Sequence, residues 1–156
     1  MTYTYQIPGN PITKKNHQQI CVNKRTGARF VRQSKSYEEY EITASYYLQP
    51  KPPRPISGPV SVRCVYFMPT RRRVDLTNLL AATHDILVTY FILADDNRDV
   101  VASVDGSRVY YDKHNPRVEI TITDAEPEYT QWDTKKGVKS RESLLDLIPG
   151  AAAKGR

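Results

Sequence analysis

The chain has only two cysteines, Cys21 and Cys64, far apart and without the spacing of metal ligands. They read as reduced thiols, which leaves out both a disulfide framework and a zinc site. Its three histidines, His17, His84 and His114, show no ligand spacing either. Long apolar runs are absent too: the longest, Ile86 to Ala94, falls far short of the roughly 20 residues that a spanning helix needs. The N-terminus has neither the basic segment nor the apolar core of a signal peptide. A cytoplasmic protein with no membrane partner is expected. Its 156 residues suffice for one domain of ordinary size with a genuine core.

What the chain does have is charge, unevenly placed. The net charge of +6 favours polyanionic partners. Residues 1–74 hold 13 Lys/Arg against 3 Asp/Glu, whereas residues 75–156 hold 10 against 14. One half attracts phosphate and the other gathers carboxylates. Carboxylates beside a phosphate site repel it unless a cation neutralises them.

Period and punctuation give the elements. Tyr3 to Ile7 reads as a strand, stopped by Pro8-Gly9-Asn10-Pro11. Gln19–Val22 and Arg29–Arg32 flank a basic turn and form a hairpin. Ser34 caps a helix expected from about Tyr37 to Leu48, with Tyr40, Ala44 and Tyr47 as its core stripe. Five prolines between residues 50 and 59 stiffen the next link. Val60 to Met68 is a strand, and a helix follows from about Asp75 to Tyr90. Val100 to Tyr111 reads as a strand in which Asp105-Gly106 is a hairpin turn or a bulge. Arg117 to Thr123 is the last strand. This order gives an α+β domain with a mixed sheet and helices packed on it. Residues 1–124 are expected to form that domain, and 125–156 a C-terminal extension, flexible or helical over Ser140 to Ile148. Within the extension, Trp132 is a possible anchor.

On the second helix, Asp75, Asn78, Ala82 and Asp85 share a sector beside the apolar face. Alone, this is an ordinary solvated ridge. Its neighbours change the reading: Arg71-Arg72-Arg73 precede it and Asp95-Asp96 follow the helix. Hard oxygen ligands beside guanidinium donors suit metal-assisted phosphodiester hydrolysis. Helix rise puts the alpha carbons of Asp75 and Asp85 about 15 Å apart, too far to share one ion. Asp85 therefore reads as a supporting group, or as a partner for a cation from the N-terminal half. His84 points away from the Asp75 ridge on the helical wheel.

In order and spacing these pieces resemble the RusA-like Holliday junction resolvases, small endodeoxyribonucleases also found in phages and prophages. The resemblance runs from about Tyr3 to Thr123. It rests on the basic run, Asp75 to Asn78, Asp85 and Asp95-Asp96, with Ile7 to Pro11, Lys14-Lys15-Asn16 and Pro116 to Ile120 in support. It implies a Mg²⁺-dependent homodimer, with Mn²⁺ able to substitute. Such a dimer nicks opposing strands of a four-way DNA junction in recombination, repair or phage DNA processing, leaving a 5′-phosphate and a 3′-hydroxyl. By position, Asp75, Asp95 and Asp96 are the catalytic and metal residues, supported by Thr77, Asn78 and Asp85. Lys14, Lys15, Asn16, Lys35, Arg71, Arg72 and Arg73 are the DNA contacts. Lys24, Arg25 and Arg29 on the hairpin are candidates to reach into a junction. Phe30 is a weaker candidate for stacking, since a lone aromatic in a strand is usually packed. Two positions depart from the pattern: Thr77 stands where the family has a second aspartate, and Ala81 where it commonly has a lysine. The departures leave open a junction-binding protein with weakened or lost cleavage. A nuclease for branched DNA generally is a third reading.

Overall fold

A computed structural model describes residues 1–14 and 18–126. Met1–Glu126 forms one compact unit. The expected helix at Ser140 to Ile148, and Trp132, lie outside the described residues, as do Lys15, Asn16 and His17.

The elements are β1 (Thr2–Pro8), β2 (Gln18–Val22), β3 (Arg29–Gln33), α1 (Lys35–Tyr47), β4 (Val60–Met68), α2 (Leu76–Thr89), β5 (Val101–Ser103), β6 (Arg108–Tyr111) and β7 (Arg117–Asp124). The main sheet is mixed and runs β1-β7-β4-β5, with β6 also on β4. β7 lies antiparallel to both β1 and β4, while β5 and β6 run parallel to β4. Among the described residues the fold is α+β, two helices on a mixed sheet. Among the described residues, no helix is long and apolar enough to cross a membrane.

Strand alternation sends Tyr5 and Ile7 of β1, Val62, Cys64 and Tyr66 of β4, and Val118, Ile120 and Ile122 of β7 into one core. Leu79, Ile86 and Leu87 of α2 meet them, with Tyr40, Ala44 and Leu48 from α1 and its C-cap. The hydroxyl of Thr83 donates to the Leu79 carbonyl at 3.0 Å, so its oxygen accepts from the buried Tyr66 hydroxyl at 2.7 Å. That bond ties α2 to the central strand.

Ser34 caps α1, its hydroxyl accepting from the Tyr37 amide at 3.2 Å. The helix begins two residues before the expected start, because the cap itself sets the first turn. The core stripe also differs. Tyr37 is fully buried, whereas Tyr47 is 48% exposed, one position off the Tyr40–Ala44–Leu48 line.

The 101–111 segment is not a hairpin, because both of its strands run parallel to β4. The chain interrupts itself at Gly106 and resumes in the same direction. Gly106 has φ 77°, and a side chain there would meet Arg63 Nε at 3.0 Å. The proline link is stitched to the chain beyond α2: Ile56 N–H donates to Ile92 O, and Ala94 N–H to Ile56 O, each at 2.9 Å. This pairing holds Ile92 to Ala94, the segment that leads into Asp95-Asp96.

Candidate functional site

α2 starts where Asp75, still extended at φ −87° and ψ 114°, caps it. One carboxylate oxygen of Asp75, Oδ1, accepts from the Thr77 amide at 2.9 Å and from the Thr77 hydroxyl at 2.6 Å. Four orphan amides and the positive end of the helix dipole face this end, so a carboxylate is favoured here on local grounds alone. Asp75 and Thr77 are exposed and Asn78 is half-buried. Ala82, read from the sequence as part of the ridge, is buried; Ala81 is the exposed residue. The Ala82 Cβ falls on the side that packs into the core, so the exposed ridge runs Asp75, Asn78, Ala81, Asp85.

The three arginines lie in the loop between β4 and the Asp75 cap, all exposed. Arg71 stacks its guanidinium 4.4 Å above the ring of Tyr111, the last residue of β6. The parallel pairing of β6 with β4 thus steadies the first arginine beside the start of α2. Nearby, Arg117 lies 3.7 Å above the Phe67 ring and binds Asp112 and Glu119.

Asp95 builds its own turn. Its Oδ1 accepts from the Asp96 amide at 2.7 Å and its Oδ2 from the Asn97 side chain at 2.8 Å. Asp96 follows, exposed. Its charge reaches His84 of α2, where it and Asp85 favour the imidazolium against burial; burial prevails, and His84 lies below the usual 6.5. His84 Nε2 is buried, with no hydrogen-bond partner among the described residues. Sequence reasoning set His84 aside from the Asp75 ridge, and its nearness to Asp96 has no signal in the sequence. Among the described residues, no three His, Cys, Asp or Glu side chains form a ready metal cluster.

Asp85 pairs with Lys14 from the loop after β1, Nζ to Oδ2 at 2.9 Å. The same ammonium stands 6.0 Å from the centre of the Tyr37 ring. Burial, with Asp85 and Glu41 adding to it, pushes the Tyr37 hydroxyl well above the usual tyrosine range. Lys35 is exposed and paired with Glu39 at 3.6 Å. Lys24, Arg25 and Arg29 are exposed on the β2–β3 hairpin. Phe30 does not pack: it is 49% exposed, opposite Cys21. Among the described residues the β2–β3 ribbon pairs with no other strand, and its Ile20, Val22 and Val31 are exposed as well.

The sequence matches the family model described as Endodeoxyribonuclease RusA over residues 8–123. No curated protein matches it.

Proposed function

Because the chain belongs to the endodeoxyribonuclease RusA family, we propose that it is a Mg²⁺-dependent enzyme that resolves four-way DNA junctions by paired, symmetric nicks. The observation that carries this reading is the junction of three exposed arginines with the Asp75 cap of α2, one of them fixed over Tyr111. Cations that grip phosphate stand directly beside an exposed carboxylate.

The donors suit the ion. Mg²⁺ binds through one or two carboxylates plus phosphate oxygens and water, and does not need a cage of protein ligands. Exposed Asp75 and Asp96 offer hard oxygens of that kind, with Asp95 beside them. Mg²⁺ or Mn²⁺ there would supply Lewis-acid polarisation of the scissile phosphate. The protein's own part is positioning. Arg71–Arg73 seat the strand and neutralise charge on the phosphate oxygens. Asn78, one turn into α2, donates or accepts at the same edge. Lys14, Lys15 and Asn16 extend the grip, and Lys35 adds charge.

Two equivalent strands call for two sites related by a two-fold axis, so the active form is a homodimer. It would act in the cytoplasm on recombination, repair or prophage DNA. Residues 1–124 would carry the activity, with 125–156 as an extension.

A labelled four-way junction, a fork and a plain duplex, each incubated with Mg²⁺, test the assignment. Expected are opposed nicks with ligatable ends on the junction and a dimer mass in solution. Equal cutting of fork and junction would favour a general branched-DNA nuclease. A second reading, a junction binder with weakened cleavage, is favoured by Thr77, whose hydroxyl bonds the Asp75 carboxylate where the family has another acid. It predicts tight, salt-sensitive binding without turnover even in Mn²⁺.

A further inference from the structure

The sequence of α2, Leu76–Thr89, contains no lysine or arginine. Its exposed ridge nevertheless has a carboxylate at each end, Asp75 and Asp85. A DNA strand laid on that ridge would be repelled at both ends unless cations flank each. Arg71–Arg73 flank the first. At the second stands Lys14, brought across 71 residues of chain to within 2.9 Å of Asp85.

We infer that Asp85 is a positioning residue that holds Lys14 as a second phosphate clamp, so that one DNA strand lies along α2 from Arg71–Arg73 to Lys14. The inference rests on the nuclease reading above. An ammonium has three donors, and among the described residues Asp85 takes one of them. Both side chains are a little under two-fifths exposed, 38% and 39%, so the pair is reachable from solvent. The Tyr37 ring beneath the ammonium limits its motion on the protein side. Held in this way, Lys14 has already lost much of the rotamer freedom that phosphate binding removes. The ten residues from Asp75 to Asp85 span about 15 Å along the helix.

The sign of one substitution decides the matter. Asp85→Asn removes a negative charge near a polyanion, so simple electrostatics expects tighter binding. Positioning expects weaker binding, because Lys14 is released. Affinity for a four-way junction is measured in metal-free buffer across a salt series, for the full chain and its variants.

Lys14→Met is expected to bind about tenfold more weakly, with a salt slope shallower by about one unit. Asp85→Asn is expected to bind roughly threefold or more weakly, within the range of a charged hydrogen bond. Added to Lys14→Met, it should cause no further loss, and Lys14→Arg should retain the wild-type salt slope. Asp85→Asn binding as tightly as the wild type, or more so, overturns the inference. Equal losses from Asp85→Asn with and without Lys14 overturn it too, since Asp85 would then act by another route. A wild type that prefers junction over duplex while ignoring these variants removes this inference alone. A wild type with no such preference removes the junction reading, and this inference with it.

Discussion

Asp75 and Thr77 are joined through a single oxygen: Asp75 Oδ1 accepts both the amide and the hydroxyl of Thr77. The carboxylate proposed to hold metal is therefore also the cap that starts α2. Folding and chemistry meet on one side chain, and substitutions can separate the two.

Asp75→Asn should separate them cleanly. Asparagine ranks with aspartate as an N-cap, so stability should change by less than about 0.5 kcal/mol, whereas Asp75→Ala should cost about 1 kcal/mol. Partners one step removed from a metal are worth about 10–100-fold, so losing a direct ligand should cost at least 100-fold in Mg²⁺-dependent nicking. Thermal melting beside single-turnover cleavage checks both. Unchanged cleavage would remove Asp75 from the metal site.

Thr77→Asp places a second carboxylate against the first. Without metal the like charges should lower the melting temperature. Mg²⁺ should then raise it more than in the wild type, because binding to the folded state stabilises by mass action. Cleavage should rise as well, further still with Ala81→Lys. Melting curves in chelator and in Mg²⁺ read the effect; an identical metal response in both proteins would count against a carboxylate site here.

His84 makes stability depend on pH. Its folded value is depressed by burial, so below 6.5 the unfolded chain binds a proton that the native fold resists. The His84 contribution is present above 6.5 and is lost as pH falls through that value toward the lower folded one. Urea midpoints at pH 8 and pH 5 should differ more in the wild type than in His84→Gln. An equal difference in both would show that His84 charges without cost.

Phe91 follows the Tyr90 cap in the left-handed region, φ 63°, and the residue is 66% exposed. A side chain in that conformation costs roughly 1–2 kcal/mol that glycine avoids. Phe91→Gly loses little burial and should gain about 1 kcal/mol net, or about 2–4 °C in melting temperature at this chain length. Calorimetry reads it directly, and a fall in melting temperature would mean that Phe91 is held by contacts worth more than the backbone relief.

By itself the sequence determined whatever depends on neighbours along the chain. Alternation marked the strands, Ser34 marked the start of α1, and the order of arginines, Asp75 and Asn78 marked one end of α2, because these signals have periods of two to four residues. Tertiary structure decided the rest. The segment containing Gly106 could turn back or continue, and only pairing with β4 made it continue. Phe30 of the hairpin reads as packed, yet it is half exposed, on a ribbon that pairs with no other strand among the described residues. Lys14 finds Asp85, and the Asp96 charge reaches His84, only because the strand order and the stitched proline link bring distant segments to α2. For Asp75 the sequence supplied position and charge. That its Oδ1 is bonded to Thr77 is a matter of capping geometry, which exists only once the helix has formed.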